Sequence, residues 1–117
     1  MTDNWPELIK TLSADIRTLR VGAPEVMKAF SAMAQGAGAE GALDPRTKEL
    51  IALAIGVAVR CDDCIAFHAK AALDRGATRE EIMETLGMTV YMGAGPSVMY
   101  ASHAIAAVEQ FEAAKAG

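Results

Sequence analysis

The chain has 117 residues, 52% of them apolar, and a formal charge of −4. That length suits one domain able to bury about two-thirds of its unfolded surface, and an acidic chain with no Lys/Arg run excludes the phosphate-neutralising chemistry of nucleic-acid binding. The longest apolar run, residues 50–59, is about half of what a membrane span needs, and residues 1–7 lack the basic-then-apolar pattern of a secretory signal, so a cytoplasmic location with no membrane partner is expected.

Aromatic residues make up only 5% of the chain, against 24 alanines and seven methionines. Alanine favours helix and buries little area, so Ala-rich helices approach closely and gain by packing against further helices. The prediction is an all-α oligomer whose compact domain, residues 1–117, has about six helices. Leu8, Ile9, Leu12, Ile16 and Leu19 recur at helical spacing over residues 7–19, which reads as a lid or packing arm. Pro24 suits the first position of a second helix, with Val26, Met27, Phe30, Met33 and Ala34 as its inward face. The glycines at 36, 38 and 41 end it, and residues 36–43 are the clearest loop.

Asp44-Pro45 is an N-cap followed by a first-turn proline, and starts a third helix running to about Val59. Its second half is apolar all round, which predicts burial from several directions. Asp62 or Asp63 as an N-cap opens a fourth helix, which ends at Gly76, a natural left-handed terminator. Thr78-Arg79-Glu80-Glu81 is a capping box for a fifth helix that buries Ile82, Met83, Leu86, Val90 and Tyr91. Residues 93–96, Gly-Ala-Gly-Pro, break that helix, and a last one over residues 97–114 buries Val98, Met99, Ile105, Val108 and Phe111. The methionines at 83, 88, 92 and 99 read either as core or as the lining of an apolar channel. No strand-like alternation or repeat is present, and the glycine pairs lack the strand-before-helix setting of a nucleotide loop. No cofactor is expected.

The chemistry concentrates in Arg60-Cys61-Asp62-Asp63-Cys64-Ile65-Ala66-Phe67-His68, which holds both cysteines and one of two histidines. On a helix, Cys64 follows Cys61 by roughly 300° and His68 follows Cys64 by roughly 400°, so the three side chains share one stripe. A helix start favours the thiolate. Cys64 is the better-placed nucleophile, His68 can take its proton, and Cys61 then resolves. Cα atoms three apart on a helix are about 5 Å apart, within disulfide range. Zinc would need a fourth ligand that only His103 offers, haem attachment would need a histidine at position 65, and two inert core cysteines remain a further option. His103 itself reads as a satisfied core or interface histidine. If the chain turns near Arg60, Glu49 lies about 16 Å down one helix and His68 about 12 Å down the other, at similar depth. Glu49 can then orient His68; otherwise it forms a rim pair with Arg46 or Lys48.

Glu49, the Cys61-Asp62-Asp63-Cys64 run, His68 and the following Gly76-Ala77-Thr78-Arg79-Glu80-Glu81-Ile82 together resemble the alkylhydroperoxidase D-like branch of the carboxymuconolactone decarboxylase superfamily. The likeness covers about residues 44–112. It implies an all-helical trimer or hexamer in which Cys64 becomes a sulfenic acid and Cys61 is proton donor and disulfide partner. Glu49 and His68 would relay protons to the thiol. The substrate would be a hydroperoxide or disulfide, with electrons from a dihydrolipoyl-type or other dithiol. Using the thiols as a redox sensor without turnover is the alternative. The best-known members are longer and carry a histidine immediately before the second cysteine, where this chain has Asp63. The decarboxylase branch lacks the cysteine pair.

Overall fold

The computed structural model describes residues 2–116, which form five helices and no strand. Helix α1 spans Trp5–Gly22, α2 Pro24–Gly38, α3 Pro45–Ala58, α4 Asp62–Asp74 and α5 Arg79–Ala116. Their ends follow local chemistry. The Asn4 side chain accepts the Glu7 N–H at 3.1 Å, which starts α1 two residues earlier than its apolar spacing alone implies. Asp44 accepts the Thr47 N–H at 2.7 Å and starts α3. Thr78 and Glu81 bond reciprocally, at 2.8 and 3.1 Å, as the capping box requires.

The predicted fifth and sixth helices are the two halves of α5. They join at Ala94, whose φ of 53° and ψ of −139° make the bend. A β-carbon on Gly93 would collide with the buried Ser97 hydroxyl, so the bend needs glycine there. Glycine does not stop α2 at residue 36: the helix continues to Gly38, and the loop is residues 39–44.

Helices α3, α4 and α5 pack on one another around Leu53, Val57, Ile65, Ile82 and Val108, all essentially inaccessible. Ala66, Ala69, Ala72, Ala104 and Ala107 are fully buried as well, so small side chains set the close approach of α4 to its neighbours. Trp5 anchors α1 against this core, its backbone N–H held by Gln110 Oε1 at 2.8 Å.

Several expected faces lie on the outside of the chain. Val26, Phe30 and Met33 of α2 are exposed because that helix packs only on α1 and the start of α3. Ala34 is exposed too, and only Met27 of the expected face is partly covered. Helix α3 is buried on the side facing α4 and α5, yet Ile51, Ile55 and Val59 remain exposed on the other. On α5, Tyr91, Val98 and Met99 are exposed rather than core. The expectation for the methionines is corrected for three of the four: Met88, Met92 and Met99 are exposed, so they build neither core nor channel within one chain, while Met83 is half-buried. The spacing identified apolar faces correctly, but these have no covering element within the described residues.

Candidate active site

Helices α3 and α4 form the expected antiparallel hairpin, and its turn is a Schellman motif. The Cys61 N–H donates to Gly56 O at 2.9 Å and the Arg60 N–H to Val57 O at 3.1 Å. Arg60 occupies the left-handed position with φ of 59°. The C-terminus of α4 uses the same pair of bonds, with Gly76 at φ of 89°. Two like turns thus carry different residues, and the one beside the cysteines holds the strained arginine.

The turn delivers Cys61 to the N-cap of α4, which corrects the expectation that Asp62 or Asp63 caps it. The Cys61 sulfur accepts the Cys64 N–H at 3.1 Å. Neither aspartate is needed for that bond, and both fall in the first helical turn. Cys61 and Cys64 are joined as a disulfide with Cα atoms 5.2 Å apart. Gly56 makes room for them, since a β-carbon there would lie 3.3 Å from that of Cys64.

One turn beyond Cys64, His68 meets Glu49 across the hairpin, with Nδ1 and Oε2 2.8 Å apart. The depth estimate from the sequence thus holds, and the rim alternative does not. Arg46 faces Asp44 at 3.8 Å and Glu81 at 3.6 Å, while Lys48 donates to the carbonyls of Ala37 and Ala39. Glu49 also lines a cleft of about 380 Å³ between the end of α2 and the start of α3, rimmed by Gln35 and Arg75. The imidazole–carboxylate pair therefore has an opening to solvent.

His103 is satisfied, as the sequence suggested, but by a partner the sequence did not reveal. Its Nδ1 lies 2.7 Å from Asp62 Oδ1, and its ring packs against Tyr100 at 4.7 Å and Trp5 at 6.4 Å between centroids. Each histidine thus faces one carboxylate. Among the described residues, no group of three or more His, Cys, Asp or Glu side chains is arranged to hold a metal ion.

The sequence model of the carboxymuconolactone decarboxylase family matches residues 24–107. The chain belongs to that family. A family protein from Legionella pneumophila, solved in its apo form, superposes with a TM-score of 0.91 and 48% identity, covering 94% of this chain and 98% of its own. A Thermotoga maritima family protein, for which involvement in an antioxidative response has been suggested, superposes with a TM-score of 0.82 and 26% identity over 93% of this chain and 92% of its own. An uncharacterized protein of Cupriavidus necator is 39% identical over 106 residues, 91% of this chain and 94% of the relative. A protein of the cox locus of Paracoccus denitrificans is 40% identical over 97 residues, 83% of this chain and 86% of the relative. These likenesses support the assignment to the alkylhydroperoxidase D-like and carboxymuconolactone decarboxylase superfamily.

Proposed function

We propose that this family member is a thiol oxidoreductase that reduces hydroperoxides, or disulfides of similar access, by cycling Cys61 and Cys64 between dithiol and disulfide. The observation that carries this reading is a disulfide at a helix start with a carboxylate–imidazole pair, 2.8 Å apart, one turn further along the same hairpin. A helix N-terminus favours the thiolate, and an imidazole held by a carboxylate can take and return its proton.

In the cycle, His68 removes the Cys64 proton and the thiolate attacks a peroxide oxygen. The S–O bond forms as the O–O bond breaks, and the departing alkoxide takes the proton back from His68 as an alcohol. Cys64 is then a sulfenic acid. The Cys61 sulfur attacks it, an S–S bond replaces the S–O bond, and hydroxide leaves with the Cys61 proton as water. A dithiol donor, of dihydrolipoyl or similar type, regenerates both thiols by two exchanges and is itself oxidised to a disulfide. Two electrons pass per peroxide. Glu49 holds His68 in place and, through its cleft, gives the proton a route to solvent.

The exposed Ile51 and Ile55 of α3, Val59 at its C-cap, and Met88, Tyr91 and Met92 of α5 support a homo-oligomer, a trimer or hexamer, as the working form. Among the described residues no helix is long and apolar enough to cross a membrane, and a cytoplasmic site of action is part of the proposal. The test is intact mass after reduced protein meets one equivalent of organic hydroperoxide, with free thiols trapped by alkylation. The expected product is a Cys61–Cys64 disulfide, reversed by a dithiol and absent in Cys64→Ser. Repeated peroxide consumption with excess dithiol distinguishes an enzyme from a sensor, which reacts once. Two unreacted thiols would refute hydroperoxide as the substrate.

A further inference from the structure

The cycle uses one imidazole–carboxylate pair and leaves the other, Asp62 with His103, unassigned. Asp62 is the first residue of α4, between the N-cap Cys61 and Cys64, so its carboxylate shares the turn that carries both sulfurs. A carboxylate there opposes ionisation of a neighbouring thiol by like charge. This one does not stand alone, because His103 reaches it from the second half of α5, 41 residues away in sequence, at 2.7 Å. The pair is largely shielded, His103 at 18% and Asp62 at 24% side-chain exposure. The imidazole is also braced: Tyr100 and Trp5 pack against it, and Trp5 is buried and fixed to Gln110. By contrast Asp63, the other acid of the turn, is exposed and is screened by water.

We propose that His103 is a positioning residue for the thiol couple, binding the Asp62 carboxylate so that its charge is drawn away from Cys61 and Cys64. This deepens the reading above and rests on it, since it concerns the same thiols when reduced. An imidazole that donates to the carboxylate holds its oxygen toward α5, and a protonated one also cancels its charge. Either way Asp62 can contribute to the helix start without suppressing the nearby thiolate. The alternative is a purely structural tie between α4 and α5.

Alkylation of the reduced protein by iodoacetamide at neutral pH separates the two, with the modified cysteine identified by peptide mass and folding checked by thermal melts. His103→Ala is expected to slow alkylation of Cys64 by about three- to tenfold, because it leaves an uncompensated carboxylate in the turn. Adding Asp62→Asn to that variant is expected to restore the rate to within about twofold of the parent, since no charge then needs compensation. A structural tie gives the opposite result, because the double variant lacks the tie as well and stays slow. That outcome, or an unchanged rate in His103→Ala, overturns the proposal. Should His103→Ala fail to fold, Asp62→Asn alone decides: its Cys64 should react at least as fast as the parent's, and a slower thiol refutes the charge argument. Alkylation needs no peroxide, so a protein that ignores hydroperoxide but shows this rate pattern would sink the proposed substrate and leave the role of His103 standing.

Discussion

Replacing Glu49 by Gln keeps the shape of the side chain and removes its charge, which isolates the part of the site that the α3–α4 hairpin exists to assemble. The carboxylate lies 2.8 Å from His68 Nδ1, with the two side chains 25% and 38% exposed. A pair so open to water is far from the buried limit, and a coupling of about 1 kcal/mol is the appropriate scale. Expressed in the transition state, that is a factor of about five in rate. The assay is oxidation of the reduced protein by hydroperoxide at pH 7, quenched over time and read as disulfide by mass. Glu49→Gln should be about fivefold slow, and His68→Gln slower still, since removing a general base costs about a hundredfold or more. The double variant should be no slower than His68→Gln, because the carboxylate acts only through the imidazole. Wild-type rates in Glu49→Gln, or a double variant equal to the product of the singles, would refute the relay.

Leu53→Ala removes a fully buried side chain between α3, α4 and α5 and should cost about 3 kcal/mol in urea unfolding; a loss below about 1 kcal/mol would mean the site collapses around the gap. Arg60→Gly relieves a non-glycine residue at φ of 59° and should raise stability by about 0.5–1 kcal/mol, whereas a loss would show that the side chain holds the turn. The Thr47 backbone N–H, and then its hydroxyl, hold the Asp44 carboxyl below the usual carboxylate range. Its stabilising effect is present above the unfolded pKa and lost as pH falls through the folded one, so Asp44→Ala should melt lower at neutral pH and approach the parent as pH falls through the lowered folded pKa. Parallel curves across that window would show that the cap carries no charge term. Ile55→Lys, on the exposed side of α3, should lower the mass measured by light scattering, and an unchanged mass would locate the subunit contact elsewhere.

The sequence and the structure agree where a local rule determines the outcome. Asp44-Pro45, the Thr78–Glu81 box and Gly76 each bond to neighbours within a few residues, so their spacing already specifies the helix ends. The meeting of Glu49 with His68 was legible for a related reason, since a tight hairpin turns two helical rises into one depth. Asp62 was misread because a cysteine, which seldom caps a helix, took the N-cap and freed the aspartate for a partner in α5. No periodicity links positions 62 and 103. Phe30 and Tyr91 failed differently: spacing shows that a face is apolar, but not whether the cover comes from the same chain.

Because the sulfur of Cys61 ends the backbone ladder of α4, accepting the Cys64 N–H at 3.1 Å, one atom holds both the disulfide and the helix start. The usual chemically silent replacements are therefore not equivalent. Serine at position 61 supplies an oxygen acceptor and keeps the first turn closed, while alanine leaves that N–H without its partner and invites fraying. A loss of activity in Cys61→Ala mixes missing redox chemistry with a loosened site, and only the serine form reports on the sulfur alone. Reduction touches the same bond: released from Cys64, the Cys61 sulfur becomes a thiol that still offers a lone pair to that N–H, so the helix start should stay closed in both redox states of the couple.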